Sequence, residues 1–200
     1  MRESPGGVSS MKAIGICGSP RANGNTELLL KRCLGRLEES GIETRLLLLR
    51  DKKVVPCTAC GFCREHKDGT CANKTDDFAE VFSAMTEADI IVVGSPVYFG
   101  SATPEMMALL DRAGYVSRHS GDLFSRKIGG PIVVARRAGQ NFTYAQLLFW
   151  FMIMDMVVPG SSYWNIAFGL QPGTVESDEE ALATVDRFAE NLGWLGSRLV

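Results

Sequence analysis

The chain has 200 residues, of which 46% are hydrophobic and 22% charged, and it carries a formal net charge of −2. That length fits one domain of roughly 100–200 residues, and the composition excludes a disordered chain, a collagen-like repeat or a coiled coil. The weakly acidic balance speaks against a dedicated nucleic-acid binder, which needs a basic footprint. The longest apolar run, Leu147–Met154, falls short of the about 20 residues of a membrane span.

Residues 1–10 read as a loose polar leader, without the apolar stretch of a secretory signal. The expectation is therefore a cytoplasmic protein whose thiols stay reduced. In chain order, strands are predicted at Met11–Cys17, Thr44–Leu49, Asp89–Val93 and Pro131–Ala135. A fifth is expected at Met156–Val158 or within Tyr163–Phe168. Helices are predicted at Asn25–Glu39, Thr75–Thr86, Pro104–Arg118, Phe142–Met154 and Ser177–Leu199. The inner strand residues are apolar on both parities, the pattern of a parallel sheet buried on both faces. Alternation of strand and helix predicts one α/β domain over 11–200, carrying a cysteine-rich insertion at about 51–74. Ligands of such sheets bind outside the C-terminal ends of the strands.

The loop after the first strand runs Gly18-Ser19-Pro20-Arg21-Ala22-Asn23-Gly24-Asn25-Thr26. It lacks the lysine of a P-loop and the G-x-G-x-x-G of a dinucleotide fold. Hydroxyl and amide donors at a helix N-terminus, with one arginine, suit a monophosphate. The plainer alternative is a helix cap by Asn23 or Asn25. The loop after the third strand, Gly94-Ser95-Pro96-Val97-Tyr98-Phe99-Gly100-Ser101, offers aromatics and free backbone donors to a flat ring with polar edges. Packing of Tyr98 and Phe99 under the next helix is the alternative. Thr103-Pro104 reads as a helix cap with proline at the first helical position.

Cys57, Cys60, Cys63 and Cys71 form C-x2-C-x2-C-x7-C. Three cysteines at every third residue curl the chain around one compact object, as in the opening of bacterial ferredoxin motifs. Zinc ribbons more often pair two C-x2-C knuckles across a long spacer. The spacing favours an iron–sulfur cluster over zinc or a metal-free thiol patch. Cys17 and Cys33 fall on a strand and an apolar helix face and read as small hydrophobes. His66 and His119 join no metal pattern, and Asp111-Arg112 reads as a local or interhelix ion pair.

Together the two loops resemble the NAD(P)H-dependent FMN reductase group of the flavodoxin-like fold, over roughly Lys12 to Phe168. The resemblance implies a three-layer sandwich with a five-stranded parallel sheet of order 2-1-3-4-5. It implies FMN, with its phosphate on Ser19, Arg21, Asn23, Asn25 and Thr26. Pro96, Val97, Tyr98, Phe99 and Gly100 would wrap the isoalloxazine. The group's glycine-rich turn after the fourth strand is here Ala135-Arg136-Arg137-Ala138-Gly139, keeping only Gly139 as a flexible point. Arg136 and Arg137 are either solvated strand-end residues or cations at the flavin edge or a nicotinamide phosphate.

The cysteine motif in that setting resembles the archaeal and anaerobic bacterial iron–sulfur flavoproteins. This implies one [4Fe–4S] cluster per subunit on Cys57, Cys60, Cys63 and Cys71, with Cys71 at the end of a long spacer. It also implies electron transfer between a two-electron donor, NAD(P)H being the candidate, and a one-electron carrier such as ferredoxin or a small-molecule acceptor. No acid–base residue is assigned, because the cofactors carry the chemistry. The rival readings are a flavin or quinone reductase without a cluster, and a zinc-stabilised flavin-binding module. Leu147–Met154 is apolar all round, so a homodimer or homotetramer is expected to cover the face the sheet does not. In similar iron–sulfur flavoproteins the cluster of one subunit serves the FMN of another.

Overall fold

The computed structural model describes residues 11–199; the expected leader, residues 1–10, lies outside them. Five strands, β1 (Lys12–Cys17), β2 (Glu43–Leu48), β3 (Ile90–Pro96), β4 (Ile128–Ala135) and β5 (Ile166–Phe168), form one sheet in the order β2-β1-β3-β4-β5. All four pairings are parallel, the flavodoxin-like order. Six helices connect or flank them: α1 (Asn25–Glu39), α2 (Phe62–His66), α3 (Phe78–Glu87), α4 (Pro104–Arg118), α5 (Gln140–Ile153) and α6 (Glu179–Leu199).

The period-two alternation of each strand divides the apolar residues between two cores. Ile14, Ile16, Ile91, Val93 and Val133 face the core under α3, α4 and α5. Ala13, Cys17, Ile90, Val92, Ile132 and Val134 face the core under α1 and α6. Helix α6 meets it with Ala181, Val185, Phe188, Ala189 and Leu192, a helical stripe. Both faces of the sheet are covered, so polar ligands have access at the strand ends.

Several boundaries differ from the predicted ones. β3 continues through Gly94, Ser95 and Pro96, with Pro96 in register with Val134. A proline can end a strand because it withholds only its own N–H. β4 starts at Ile128 rather than Pro131, and a Cβ on Gly129 would meet the Ile91 carbonyl at 2.0 Å. The fifth strand is Ile166–Phe168, whereas Val157 makes a single bridge to Ile128. The third helix begins at Phe78, because Thr75 and Asn73 close a side-chain turn ahead of it. α2 was not predicted.

Helix α5 covers its sheet side with Leu147, Trp150 and Phe151. Phe149, Met152 and Ile153 are left 72%, 67% and 59% exposed. Its apolar outer face is uncovered in the single chain. Among the described residues, no helix is long and apolar enough to cross a membrane.

Candidate functional site

The strand-end cavity is built on a stitched floor. The Gly18 N–H donates to the Gly94 carbonyl (2.8 Å) and the Thr103 hydroxyl donates to the Gly18 carbonyl (2.9 Å). The Thr103 N–H donates to Ser95 Oγ (3.0 Å), while Thr103 Oγ1 accepts from Met106 and caps α4. These bonds fix β1, β3 and the start of α4 to one another. A cavity of about 270 Å³ opens above them, and Ser19, Arg21, Asn25, Thr26, Pro96, Val97, Tyr98 and Arg136 all line it.

The start of α1 supplies the phosphate-like seat. Gly24 is its N-cap, without a side-chain cap, and the first helical bond runs from Leu28 N–H to the Gly24 carbonyl. The N–H groups of the first turn therefore have no helical acceptor. A Cβ on Gly24 would fill the hollow, 3.1 Å from the Arg21 carbonyl and 3.3 Å from Ser19 Oγ. The seat is held from below by Glu27, nearly fully buried. Its carboxylate accepts from the Asn23 N–H (2.9 Å), Arg50 (2.6 Å) and Lys31 (2.8 Å). Burial pushes the Glu27 carboxyl up, but hydrogen bonds from Lys31, Arg50 and the Asn23 N–H outweigh it and hold it below the usual range. Its charge is thus cancelled locally and does not oppose an anion at the helix end.

The alternative role, a side-chain cap of α1 by Asn23 or Asn25, is not taken up. Asn25 is buried and ties the helix start to the segment after β5. It donates to the Gln171 carbonyl (2.9 Å) and Thr174 Oγ1 (3.3 Å) and accepts from the Val175 N–H (3.4 Å). Asn23 is exposed at φ 51° and contributes its backbone to Glu27. Phe99 and Gly100 also stay out of the cavity. They form a left-handed two-residue turn, φ 52° and 80°, closed by Tyr98 and Ser101, and Phe99 projects fully into solvent. Arg137 does not line the cavity. Gly139 acts behind the wall: at φ 89° it packs where a Cβ would stand 2.9 Å from Val97.

The sequence reading missed Gly169, Leu170 and Pro172, which form the far wall. Arg21 Nη1 donates to the Leu170 carbonyl at 2.7 Å, so the arginine bridges the cavity mouth. The rule that ligands sit beyond the strand ends, applied to the last strand, points to this turn.

The cysteines build a second cavity, of about 320 Å³, which shares no lining residue with the first. Cys57, Cys60, Cys63 and Cys71 all line it. Left-handed Ala59 (φ 53°) and Gly61 (φ 80°) reverse the chain between successive cysteines. The short helix α2 then carries Cys63 inward, where burial pushes its thiol up against the opposing backbone N–H groups of Cys63 and Arg64. The Ala59 N–H donates to Cys57 Sγ at 3.4 Å, and Arg112 Nη2 donates to Cys71 Sγ at 3.3 Å. Among the described residues, no three His, Cys, Asp or Glu side chains close on a single ion position. A cubane holds its thiolates around a body several atoms wide, so four thiols around one cavity, with N–H donors directed at their sulfurs, fit that group. Cys17 and Cys33 are fully buried in the other core, their thiols pushed up by burial to about 11 and about 12.

The expected local or interhelix pairing of Asp111-Arg112 is not what forms: Arg112 makes its ion pair with Asp76, in the loop ahead of α3. Its contact with Cys71 and its place in the wall of the cysteine cavity were not anticipated.

A family profile for NADPH-dependent FMN reductases matches residues 11–171. The chain belongs to this family. It is an FMN-dependent oxidoreductase of the flavodoxin-like fold. An iron–sulfur flavoprotein of Methanocaldococcus jannaschii is 39% identical over 190 residues, covering 92% of this chain and 94% of the relative. Others from Archaeoglobus fulgidus and Methanosarcina thermophila are 36% and 34% identical, covering 90% and 91% of this chain and 96% and 93% of those proteins. The fold is similar to that of RosB, solved with a bound 8-demethyl-8-formylriboflavin-5′-phosphate intermediate (TM-score 0.76, 19% identity, 95% of this chain, 80% of that one). It is similar also to a WrbA-like flavodoxin from Agrobacterium tumefaciens (TM-score 0.65, 13% identity, 95% and 99%).

Proposed function

We propose that this family member is an electron-transfer iron–sulfur flavoprotein, with FMN at the strand ends and one [4Fe–4S] cluster on Cys57, Cys60, Cys63 and Cys71. The observation that carries the reading is four thiols, drawn from both arms of the insertion, around one cavity separate from the strand-end cavity. When bound, FMN supplies a two-electron centre and the cluster a one-electron centre, coupling one two-electron donor to two one-electron acceptors. The chain's own part is to hold and orient. The α1 N-terminus, Ser19, Thr26 and Arg21 would seat the phosphate, and Pro96, Val97 and Tyr98 would flank the ring.

The two cavities lie at different heights along α4. Thr103 caps that helix under the strand ends, whereas Arg112 and Tyr115 line the cysteine cavity. At about 1.5 Å per residue they stand about 13–18 Å down the axis. This separation, and the uncovered face of α5, support a homodimer or homotetramer in which centres of different subunits approach. A cytoplasmic setting, a reduced donor such as NAD(P)H and a small carrier such as ferredoxin complete the proposal.

The test is anaerobic reconstitution of the purified protein. Iron and acid-labile sulfide should each approach about four per chain, the content of a cubane. Stoichiometric zinc without iron would refute the cluster. FMN reduction by NADPH in an iron-free protein would favour the plain reductase reading that the family's description carries.

A further inference from the structure

Among the described residues, Arg112 is the only lysine or arginine that is buried. It leaves the middle of α4 and reaches the cysteine insertion. Nη1 donates to the Val55 carbonyl (3.0 Å) and to Asp76 Oδ2 (2.5 Å). Nη2 donates to Cys71 Sγ (3.3 Å) and lies 3.4 Å from Asp76 Oδ1. The guanidinium also sits over the Phe78 ring, 4.0 Å from its centroid. Asp76 in turn accepts from the Val55 N–H at 3.0 Å. The pair therefore clasps both ends of the insertion, just before Cys57 and just after Cys71.

A clasp alone does not explain an arginine. Burying an ion pair strips both charges of their water, and apolar replacements of similar volume are often as stable or more so. The second arm is the informative one, because it ends on a sulfur. A thiol is a weak acceptor, whereas a coordinating thiol is deprotonated outright. A buried cation aimed at a sulfur is chemically matched to a thiolate.

We propose that Arg112 is a positioning residue for the cluster: it fixes Cys71 as the fourth ligand and, through a charge-assisted bond to that sulfur, raises the cluster's midpoint potential. The inference rests on the cluster reading above. One added electron increases the negative charge on the ligand sulfurs, and a cationic donor stabilises that state over the oxidised one. Hydrogen bonds to the sulfurs are among the recognised determinants of cluster potential. The clasp also accounts for the long spacer, since Asp76 and Arg112 bring Cys71 to the cavity that the other three cysteines line.

The experiment uses full-length protein, reconstituted anaerobically with FMN, and begins with wild-type iron content. A wild type that takes up no iron overturns the cluster reading and this inference with it. A wild type that loads isolates the inference. Cluster potential is then read by electron paramagnetic resonance, and FMN potential optically, in wild type, Arg112→Lys and Arg112→Gln. The glutamine variant should lower the reduced-to-oxidised cluster ratio at fixed ambient potential about tenfold, which is 59 mV for a one-electron couple. Arg112→Lys should keep most of the wild-type ratio, and the FMN potential should not move. A less stable Arg112→Gln protein with an unmoved cluster potential makes Arg112 a structural clasp only and overturns the proposal. Isotopically labelled arginine nitrogen in an Arg64→Gln protein, with Arg112 intact, covers a glutamine variant that does not load. Hyperfine coupling of that nitrogen to the reduced cluster is expected, and its absence overturns the proposal.

Discussion

Replacing Arg21 by alanine tests the phosphate seat most directly. Its guanidinium gives one donor to the Leu170 carbonyl and is otherwise exposed at the cavity mouth. Four of its five N–H donors therefore remain for an anion. The substitution empties no core, so folding stability should change by less than about 0.5 kcal/mol. Loss of a charge-assisted bond to phosphate should cost about 1.5–3 kcal/mol, or about 10–100-fold in FMN affinity. The exposed setting means that the loss should shrink at high salt. Riboflavin, which lacks the phosphate, separates the two jobs of this residue. If Arg21 binds phosphate, FMN weakens and riboflavin does not. If it only pins the Leu170 turn, both weaken together. Fluorescence-quenching titrations of the apoprotein with each flavin make the comparison. Equal loss for FMN and riboflavin, or unchanged FMN binding, would refute the assignment of Arg21 to the phosphate.

The elements that could be read from the sequence were those fixed by local pattern. Apolar strands buried on both faces and amphipathic helices between them need no distant partner to declare themselves. The errors lie where tertiary contacts override residue type. The fourth strand is predicted to start at Pro131, yet it runs from Ile128, and the Ile91 carbonyl and the Phe151 ring press against Gly129 and leave no room for a side chain there. Asn25 has the chemistry of a cap, yet its partners lie in the segment after β5, 146 to 150 residues away. Arg112 shows the limit most clearly. Its partners stand 36 to 57 residues away, and the only local sign was a cation on an otherwise apolar helix face. The spacing of Cys57, Cys60 and Cys63, by contrast, was legible because its two short intervals act within one turn-rich segment.

Three further predictions concern the strand-end cavity, the outer face of α5 and the seat under α1. Arg136 lines the strand-end cavity and Arg137 does not, so Arg136→Ala should make the FMN midpoint potential more negative while Arg137→Ala leaves it unchanged. Matched redox titrations check this, and equal shifts would reject a specific contact. Phe149→Asp, at an exposed apolar position on α5, should dissociate the proposed oligomer in sedimentation experiments while the chain keeps its folded circular dichroism spectrum. A wild type already monomeric at micromolar concentration would reject the oligomer itself. The last prediction concerns Glu27, whose carboxylate joins α1, the Asn23 turn and Arg50. Its folded-state ionisation lies below the ordinary value of 4.5. The sign follows: it stabilises the fold above its unfolded value, and that contribution is lost as pH falls through the lower, folded value. Wild-type thermal stability should therefore drop on acidification below about pH 4.5 more steeply than that of Glu27→Gln, which has no proton to take up there. At neutral pH the glutamine variant should be less stable by about 1–3 kcal/mol, the cost of leaving hydrogen-bonded charges without their partner. Because the same carboxylate holds the Asn23 backbone, FMN affinity should fall with it, whereas a variant that loses stability and keeps wild-type FMN affinity would detach Glu27 from the seat above it.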